Sequence, residues 1–481
     1  MLLTDLPIEI LPEIIDHVAK PQHLAHLCLV NKAFHRFAVP KLYERVYIYS
    51  WHREGKAKAC KVQYVEENRV NILNQVIQLF DTLSRYVYLA NHLRRLEIRD
   101  FPKALTAVDN DILNHVLHGL KNCHNLRSCT WTRDGSLNSD VLKTLQSCDN
   151  LRDLEFNGHN EGHYDARLLP GFTKLERILI IMPSQAVISQ LSPWFTESGS
   201  MLRSFTLICK GSNLITDALL QSIAPCLPNL QHLNLTGCPK VTHNGVWAII
   251  SSTVSGLLGL GLEGVSMRFD MAILANRCLT TGSLSLLRSI TLTVHQQLSM
   301  KEWIHDVLNL ISASPLERFQ IYSIGVSFEA LITEDLWNNL VLTHASRLVR
   351  ISVHRMLISL EAIANICSQC TNLEELFVVM ESSALDDLAN YLSLAKKLRT
   401  VHINSPIDAS TDVYPFVLKV DRALSIIKRC NPALNQLGCN SKVWQVDRQI
   451  IREDDGTLRS ERVLAPYGSP DIPEQFTVVR T

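Results

Sequence analysis

Leu230–Val246 reads LQHLNLTGCPKVTHNGV. Leu233 and Leu235 alternate with His232 and Asn234, the period-two pattern of a strand with one face turned inward. Leu230 opens the run three residues earlier. The same spacing, Leu-x-x-(apolar)-x-(apolar), stands at Leu93–Ile98, Leu126–Trp131, Leu151–Phe156, Leu175–Ile180 and Leu202–Leu207. It continues at Leu257–Leu262, Leu287–Leu292, Leu316–Ile321, Leu348–Val353, Leu373–Val378, Leu398–Ile403 and Leu434–Cys439, advancing mostly by 24 to 33 residues. Self-similarity at that period is the signature of a solenoid. A helical pattern follows each strand at a regular offset, as at Asp111–Leu120, Asp140–Gln146, Thr216–Ile223, Lys301–Ile311, Leu360–Cys367 and Asp421–Ile427. Several of these begin with Asp or Thr, good N-caps. One strand and one helix cannot bury their own apolar faces, so neighbouring copies must stack.

Leu230–Val246, with Cys238 just past its strand, resembles a leucine-rich repeat of the cysteine-containing type found in F-box proteins. Other copies lose that Cys and vary in length, which predicts an irregular array. Past residue 440, Val443–Ile451 alternates, Asp454-Asp455-Gly456 signals a turn, and Arg459–Leu464 returns. Asp-Gly between alternating runs favours a hairpin, here as the terminal cap that solenoids need. Ala465–Thr481 carries three prolines and is expected to lie as an extended tail against that cap.

At the other end, Thr4–Glu44 reads TDLPIEILPEIIDHVAKPQHLAHLCLVNKAFHRFAVPKLYE. Pro7 and Pro21 stand where helices begin, since a first helical residue needs no N–H partner. Leu6, Ile10, Ile14 and Val18 recur every four residues, with Ile8, Leu11 and Ile15 beside or behind them. Leu24, Leu27, Val30, Phe34 and Phe37 repeat the pattern, with Leu29 off the main face. So few residues cannot bury that much apolar surface among themselves, and a wide exposed apolar patch marks a protein interface. The plainer reading is a cap on the larger fold.

These residues also resemble an F-box of the form common among fungal proteins: Leu6-Pro7 with Glu9-Ile10, then Leu27–Lys32 (LCLVNK), Phe34 and the exit Ala38–Tyr43 (AVPKLY). The resemblance implies docking onto the Skp-type adaptor of a cullin-based ubiquitin ligase. Leu6, Pro7, Ile10, Ile14, Leu27, Val30 and Phe34 would contribute to that interface. Many F-boxes carry Trp where Phe34 stands.

Taken as a whole, the pattern predicts an α/β chain with four parts. These are a three-helix F-box at 1–46, a connecting strand, loop and helix at 47–90, irregular leucine-rich repeats at 91–440 with parallel strands concave and helices convex, and the hairpin and tail at 441–481. Within the connector, Val46–Ser50 reads as strand, His52–Lys61 as a basic loop, and Asn71–Leu89 as helix, with Ile72, Val76, Leu79, Phe80 and Leu83 on one side.

Composition narrows the functions. Of 481 residues 46% are apolar and 20% charged, so the chain is globular. Lys+Arg and Asp+Glu balance at 47 each, and nothing announces nucleic acid or an anionic membrane. Asn244–Leu262 lacks charge, yet repeat phase divides it into a helix and a strand, and its glycines and hydroxyls argue against a span. Asp5, Glu9 and Glu13 stand where a signal peptide wants bases, so a reducing compartment, cytoplasm or nucleus, is expected. Of thirteen cysteines, Cys123, Cys148 and Cys370 stand three residues before a repeat's opening Leu, and Cys226 and Cys430 four before. A residue locked to the repeat phase is set by packing. Cys367-x-x-Cys370 lacks a second pair at zinc spacing. The pairs His115/His118 and His159/His163 lack a further ligand. Gly259-x-Gly261-x-x-Gly264 lies inside a repeat strand and not at the head of a dinucleotide unit. No metal or cofactor is expected, nor a catalytic group.

The residues between the inward strand positions remain as candidates for gripping a target protein: Arg95, Arg127, Arg152, Arg203, His232, Asn234, Glu375, Phe377, Arg399 and His402. Stacked, they would line the concave sheet, the usual binding surface of such arrays. Two readings follow. One is the substrate-receptor subunit of an SCF-type ubiquitin ligase, non-catalytic and holding a protein target. The other is a repeat scaffold acting without a ligase.

Overall fold

The computed structural model describes residues 7–18, 21–48, 76–99, 110–295, 299–324, 334–406, 417–453 and 456–467. Leu6, the basic loop 52–61, Ile72 and the tail beyond 467 lie outside the described residues. The chain divides into two compact units: 1–214 with 222–230, and 215–221 with 231–468, the remainder lying in the tail.

The first unit opens with a 3-10 turn at Ile8–Ile10, then helices α1 (Leu11–Asp16), α2 (Pro21–Cys28) and α3 (Lys32–Glu44). Pro7 precedes the 3-10 turn, Pro12 falls in the first turn of α1, and Pro21 begins α2, all where a missing N–H costs nothing. Asn31 caps α3, its Oδ1 accepting the Phe34 amide at 2.9 Å. Leu11 and Ile15 face inward, while Ile10 is exposed and Ile14 half-buried.

The expected strand follows as β1 (Arg45–Ile48). Where one helix was expected over 71–89 there are two, α4 over 76–85 and α5 (Val87–Ala90). The Tyr86 amide still bonds the Thr82 carbonyl at 2.9 Å, but Tyr86 itself leaves helical geometry with ψ 81°. The remaining strands of this unit are β2 (Arg95–Ile98), β3 (Ser128–Trp131), β4 (Asp153–Asn157), β5 (Arg177–Ile181) and β6 (Ser204–Ile208), and β1 to β6 pair in parallel in chain order.

The second unit carries β7 (His232–Thr236), β8 (Gly259–Glu263), β9 (Ser289–His295), β10 (Arg318–Ile324), β11 (Arg350–His354), β12 (Glu375–Val379), β13 (Thr400–Asn404) and β14 (Gln436–Cys439), again parallel. Every strand from β2 to β14 begins two residues after an opening Leu read from the sequence. After them β15 (Lys442–Arg452) and β16 (Leu458–Pro466) form the expected antiparallel hairpin on β14. Arg462 fastens β16 to the last repeat, donating to the carbonyls of Lys428, Cys430 and Asn431 at 3.0–3.2 Å, where the helix Val420–Arg429 ends.

Within each unit two devices lock repeats to their predecessors, the second in some copies only. The carbonyl of the residue after the opening Leu accepts two amides of the next copy, as Arg94 accepts Arg127 at 2.8 Å and Ser128 at 3.0 Å. An Asn just before the opening Leu also reaches back. Asn125 donates to Asn91 O at 2.8 Å, Asn150 to His124 O at 2.9 Å, and Asn372 to Ser346 O at 2.7 Å. The array is irregular, as expected. Between β4 and β5 a 3-10 turn, Ala166–Gly171 with Pro170 inside it, stands where other copies have an α-helix. Asn244–Leu262 divides into helix His243–Ser252 and β8, and among the described residues no helix is long and apolar enough to cross a membrane.

Candidate functional site

In the N-terminal helices, Leu11, Ile15, Leu24, Phe34 and Ala38 close a core, with Val18, Leu27, Cys28, Ala33, Phe37 and Leu42 packed on it. What that core leaves outside is large. Leu29 is 85% exposed, Val30 56%, Ile8 48% and Ile10 40%. Of the residues expected to meet an adaptor, Pro7, Ile10 and Val30 are exposed, while Ile14 and Leu27 are half-buried. Phe34 is a correction: at 2% exposure it belongs to the core, packed with Leu11, Ile15, Leu24 and Ala38. Ile8 and Leu29, which the four-residue periodicity set aside, are on the surface instead. Phe34→Ala is accordingly expected to cost about 3–5 kcal/mol of stability, read as denaturant unfolding of these helices. Lost adaptor binding at unchanged stability would instead place Phe34 at the interface.

On the sheet face of the first unit, Arg45, Arg95, Ser128, Asp153, Arg177 and Ser204 form one column, and Tyr47, Glu97, Thr130, Glu155, Leu179 and Thr206 the next. Glu97 is buried and collects three guanidiniums: Arg45 Nε and Arg95 Nε on Oε1, both at 2.7 Å, and Arg99 Nε 3.7 Å from Oε2. Arg99 continues to Glu155 through Nη1 at 2.9 Å and Nη2 at 3.3 Å, and Thr130 Oγ1 donates to the same carboxylate at 3.0 Å. Arg177 pairs with Asp153. Repeat phase alone does not reveal this network, because its members come from four different strands or their ends.

Arg127, Arg152 and Arg203 stand one residue ahead of β3, β4 and β6, in the row whose backbone locks the repeats, and so flank the face. Arg152 Nη1 donates to Asp149 O at 2.9 Å, and Arg203 Nη1 to Asn229 O at 3.3 Å. Arg399 flanks β13 in the same way, its Nε 3.6 Å from Glu374 Oε2.

In the second unit His232 and Asn234 lie across β8, each over the place where a side chain on Gly259 or Gly261 would sit. Those two glycines therefore serve packing. Glu375 is half-buried beside Arg350, Nη1 to Oε2 at 3.3 Å. Phe377 and His402 are corrections: both are buried, at 3% and 0% exposure, and are not presented to solvent. The rings lie along the sheet instead of standing from it. His402 occupies the space a side chain on Gly438 would need, Phe377 stacks on His402 at 6.2 Å, and Arg350 covers Phe377 at 4.8 Å. His354 and Tyr322 extend the row, with centroids 6.4 Å and 6.3 Å apart along it.

Burial, with Arg350 nearby, lowers the pKa of His354 to about 4. Burial does the same for His402, against hydrogen bonds to Asn404 and Asn440, and for His344, with Arg347 adding to it, both to about 4. The unfolded chain, at about 6.5, binds protons first as pH falls. Stability of this unit is thus full above pH 6.5, declines between about 6.5 and 4 by up to about 1.4 kcal/mol per unit for each imidazole, and levels off below. Urea unfolding at pH 7 and pH 5 measures this, and a pH-independent midpoint contradicts it.

The cysteines locked to the repeat phase explain themselves. Cys123 Sγ bonds Gly119 O at 3.1 Å and Cys148 Sγ bonds Thr144 O at 3.7 Å, each one turn back at a helix end. Burial first, with neighbouring thiols behind it, pushes Cys367 up to about 12, and burial alone does so for Cys370, so both stay protonated. His159 Nδ1 sits 3.1 Å from Asp134 Oδ1, with the His163 ring 6.2 Å away edge-on. Among the described residues no group of three His, Cys, Asp or Glu side chains is arranged to hold a metal.

Residues 3–49 match the F-box-like family model. Two solved structures are similar to the chain at a distance. The Rad7 and Elc1 complex of yeast matches at 13% identity and TM-score 0.38, over 73% of this chain and 93% of that one. The leucine-rich repeat-containing protein LegL7 of Legionella pneumophila matches at 11% identity and TM-score 0.29, over 71% and 88%. Likenesses this remote carry over neither partner nor activity. The chain is an F-box-like domain followed by α/β leucine-rich repeats.

Proposed function

We propose that this chain is the substrate-recognition subunit of an SCF-type E3 ubiquitin ligase. Its F-box-like helices dock the Skp-type adaptor, and through it a cullin, while the repeats bind a target protein. One observation carries the reading: the N-terminal helices complete a core of their own and still present Ile8, Ile10, Leu29 and Val30 to solvent. An apolar set of that kind, beside a finished core, is a surface awaiting another protein. Pro7, Ile14 and Leu27 border it, and Leu6 precedes it in the chain. The subunit itself makes no bond; it raises the effective concentration of a target beside the ubiquitin donor.

For the target, the first unit offers Arg95 and the flanking Arg127, Arg152 and Arg203, and the second offers His232, Asn234, Glu375 and Arg399. Cytoplasm and nucleus are the compartments in which such a ligase acts. Isolation of the chain with its partners tests the reading. Adaptor and cullin accompany the intact chain, while a chain disabled at Leu29 and Val30 loses both and accumulates uncleared targets. Recovery of the same partners by both chains rejects it in favour of a repeat scaffold.

A further inference from the structure

One backbone position recurs where the strands end. The residue directly after β7 and after β8 turns left-handed, Gly237 with φ 68° and Gly264 with φ 59°, a conformation that glycine takes freely and that opposes any side chain. Met182 stands there after β5, at φ 52°, and Arg355 after β11, at φ 55°. Asn440, at φ 50° after β14, has a reason in the fold, since its Oδ1 accepts the Ser405 amide at 2.9 Å. Arg355 has no such tie. It is exposed, its guanidinium lies 5.1 Å from the centroid of the Tyr322 ring, and among the described residues it reaches no carboxylate. A guanidinium over a ring keeps its N–H donors around the rim. The turn therefore presents an arginine whose donors are open to solvent.

A second arginine without a counter-charge lies on the same sheet face. Arg318, Arg350 and Glu375 are register partners across β10, β11 and β12. Glu375 is taken by Arg350, Nη1 to Oε2 at 3.3 Å. Arg318, also exposed, has no carboxylate in reach among the described residues. Arg318 and Tyr322 are four residues apart on one strand, so they share a face and stand about 13 Å apart at about 3.3 Å per residue. The guanidiniums of Arg318 and Arg355 thus mark the two ends of β10, with half-buried Gln320 between them. Two such cations complement an extended chain whose carboxylates are four residues apart, since these repeat at the same distance.

We propose that Arg318 and Arg355 select the target: the second unit binds an extended segment of it along β10, with one acidic side chain on each arginine. This rests on the reading that the repeats hold a protein target. Arg355 is the stronger anchor, because the turn and the Tyr322 ring hold its guanidinium in place before binding and little freedom is lost on contact. Arginine is also among the side chains that most often dominate binding energy.

Selection of random short peptides displayed on phage, against the immobilised full-length chain, tests it. Recovered sequences are expected to share two Asp or Glu residues four apart. A synthetic peptide of that kind is expected to bind about tenfold or more weakly to Arg355→Gly and to Arg318→Gln. Arg459→Gln, on the hairpin, is expected to leave binding unchanged. Glycine suits the left-handed turn, so Arg355→Gly is expected to keep the unfolding midpoint, and should it not, Arg318→Gln decides. Peptides lacking the acidic pair, no recovery above the bare support, or equal binding by the variants overturns the inference. So does a peptide that binds only once phosphoserine replaces its acidic residues. Adaptor titration of the same proteins keeps the two readings apart. Full adaptor affinity without the peptide preference sinks this inference alone, whereas an intact chain that does not bind the adaptor sinks the ligase reading.

Discussion

Leu29→Glu/Val30→Glu is expected to erase adaptor binding while the chain stays folded. Both side chains lie outside the core cluster and are more than half exposed, so two carboxylates there meet water in the free protein and cost little. In the complex the same carboxylates would enter a dry apolar contact without partners, at several kcal/mol. An affinity loss beyond about a hundredfold follows, since each 1.4 kcal/mol is tenfold. The pair is measured by adaptor titration beside a thermal melt. Undiminished affinity, or a melting temperature that drops with it, counts against a surface role.

Glu97→Ala is expected to be the most destabilising substitution on the sheet face. The carboxylate is 2% exposed and holds Arg45 and Arg95 at 2.7 Å, with Arg99 at 3.7 Å. Without it the three guanidiniums lose the carboxylate they share, although Arg99 keeps Glu155. Breaking one side of a buried ionic cluster costs about 3–5 kcal/mol. Because Arg95 is half in water, the lower end of that range applies. For a unit of this size that is a fall on the order of 10 °C in Tm. Salt should restore part of the loss by screening the stranded arginines, and Glu97→Gln should fall between alanine and the native residue. A Tm unmoved by Glu97→Ala, or insensitive to salt, would show that the arginines need no common anchor.

Much of the fold was legible because one constraint repeats. An opening Leu and two alternating apolar residues must face the helices, so strand starts follow from Leu93 to Leu434 without exception. Asp-Gly at 455–456 marked the hairpin for an equally local reason. The N-terminal helices were harder. The four-residue period groups Leu6, Ile10, Ile14 and Val18 on one face but does not say which side the core takes; Leu11 and Ile15, beside or behind that face, are the residues inside. An aromatic at this position reads as an anchor for a partner, yet Phe34 packs into the core of these helices.

On the sheet, alternation separates the two faces but says nothing of whether an outward ring stands up or lies down. Phe377 and His402 lie down because Gly438, two strands from Phe377, leaves room, and that is a relation across repeats. The clustering on Glu97 is hidden in the same way, since Arg45 comes from β1, 52 residues away in the chain.

The most direct measurement is calorimetric titration of a purified Skp-type adaptor into the full-length chain. Saturable binding of one adaptor per chain, with the negative heat-capacity change of apolar burial and abolished by Leu29→Glu/Val30→Glu, is the expected result. No heat of binding from the intact, folded chain, or binding that the double substitution leaves untouched, would contradict the claim that these helices are built to be covered by that partner.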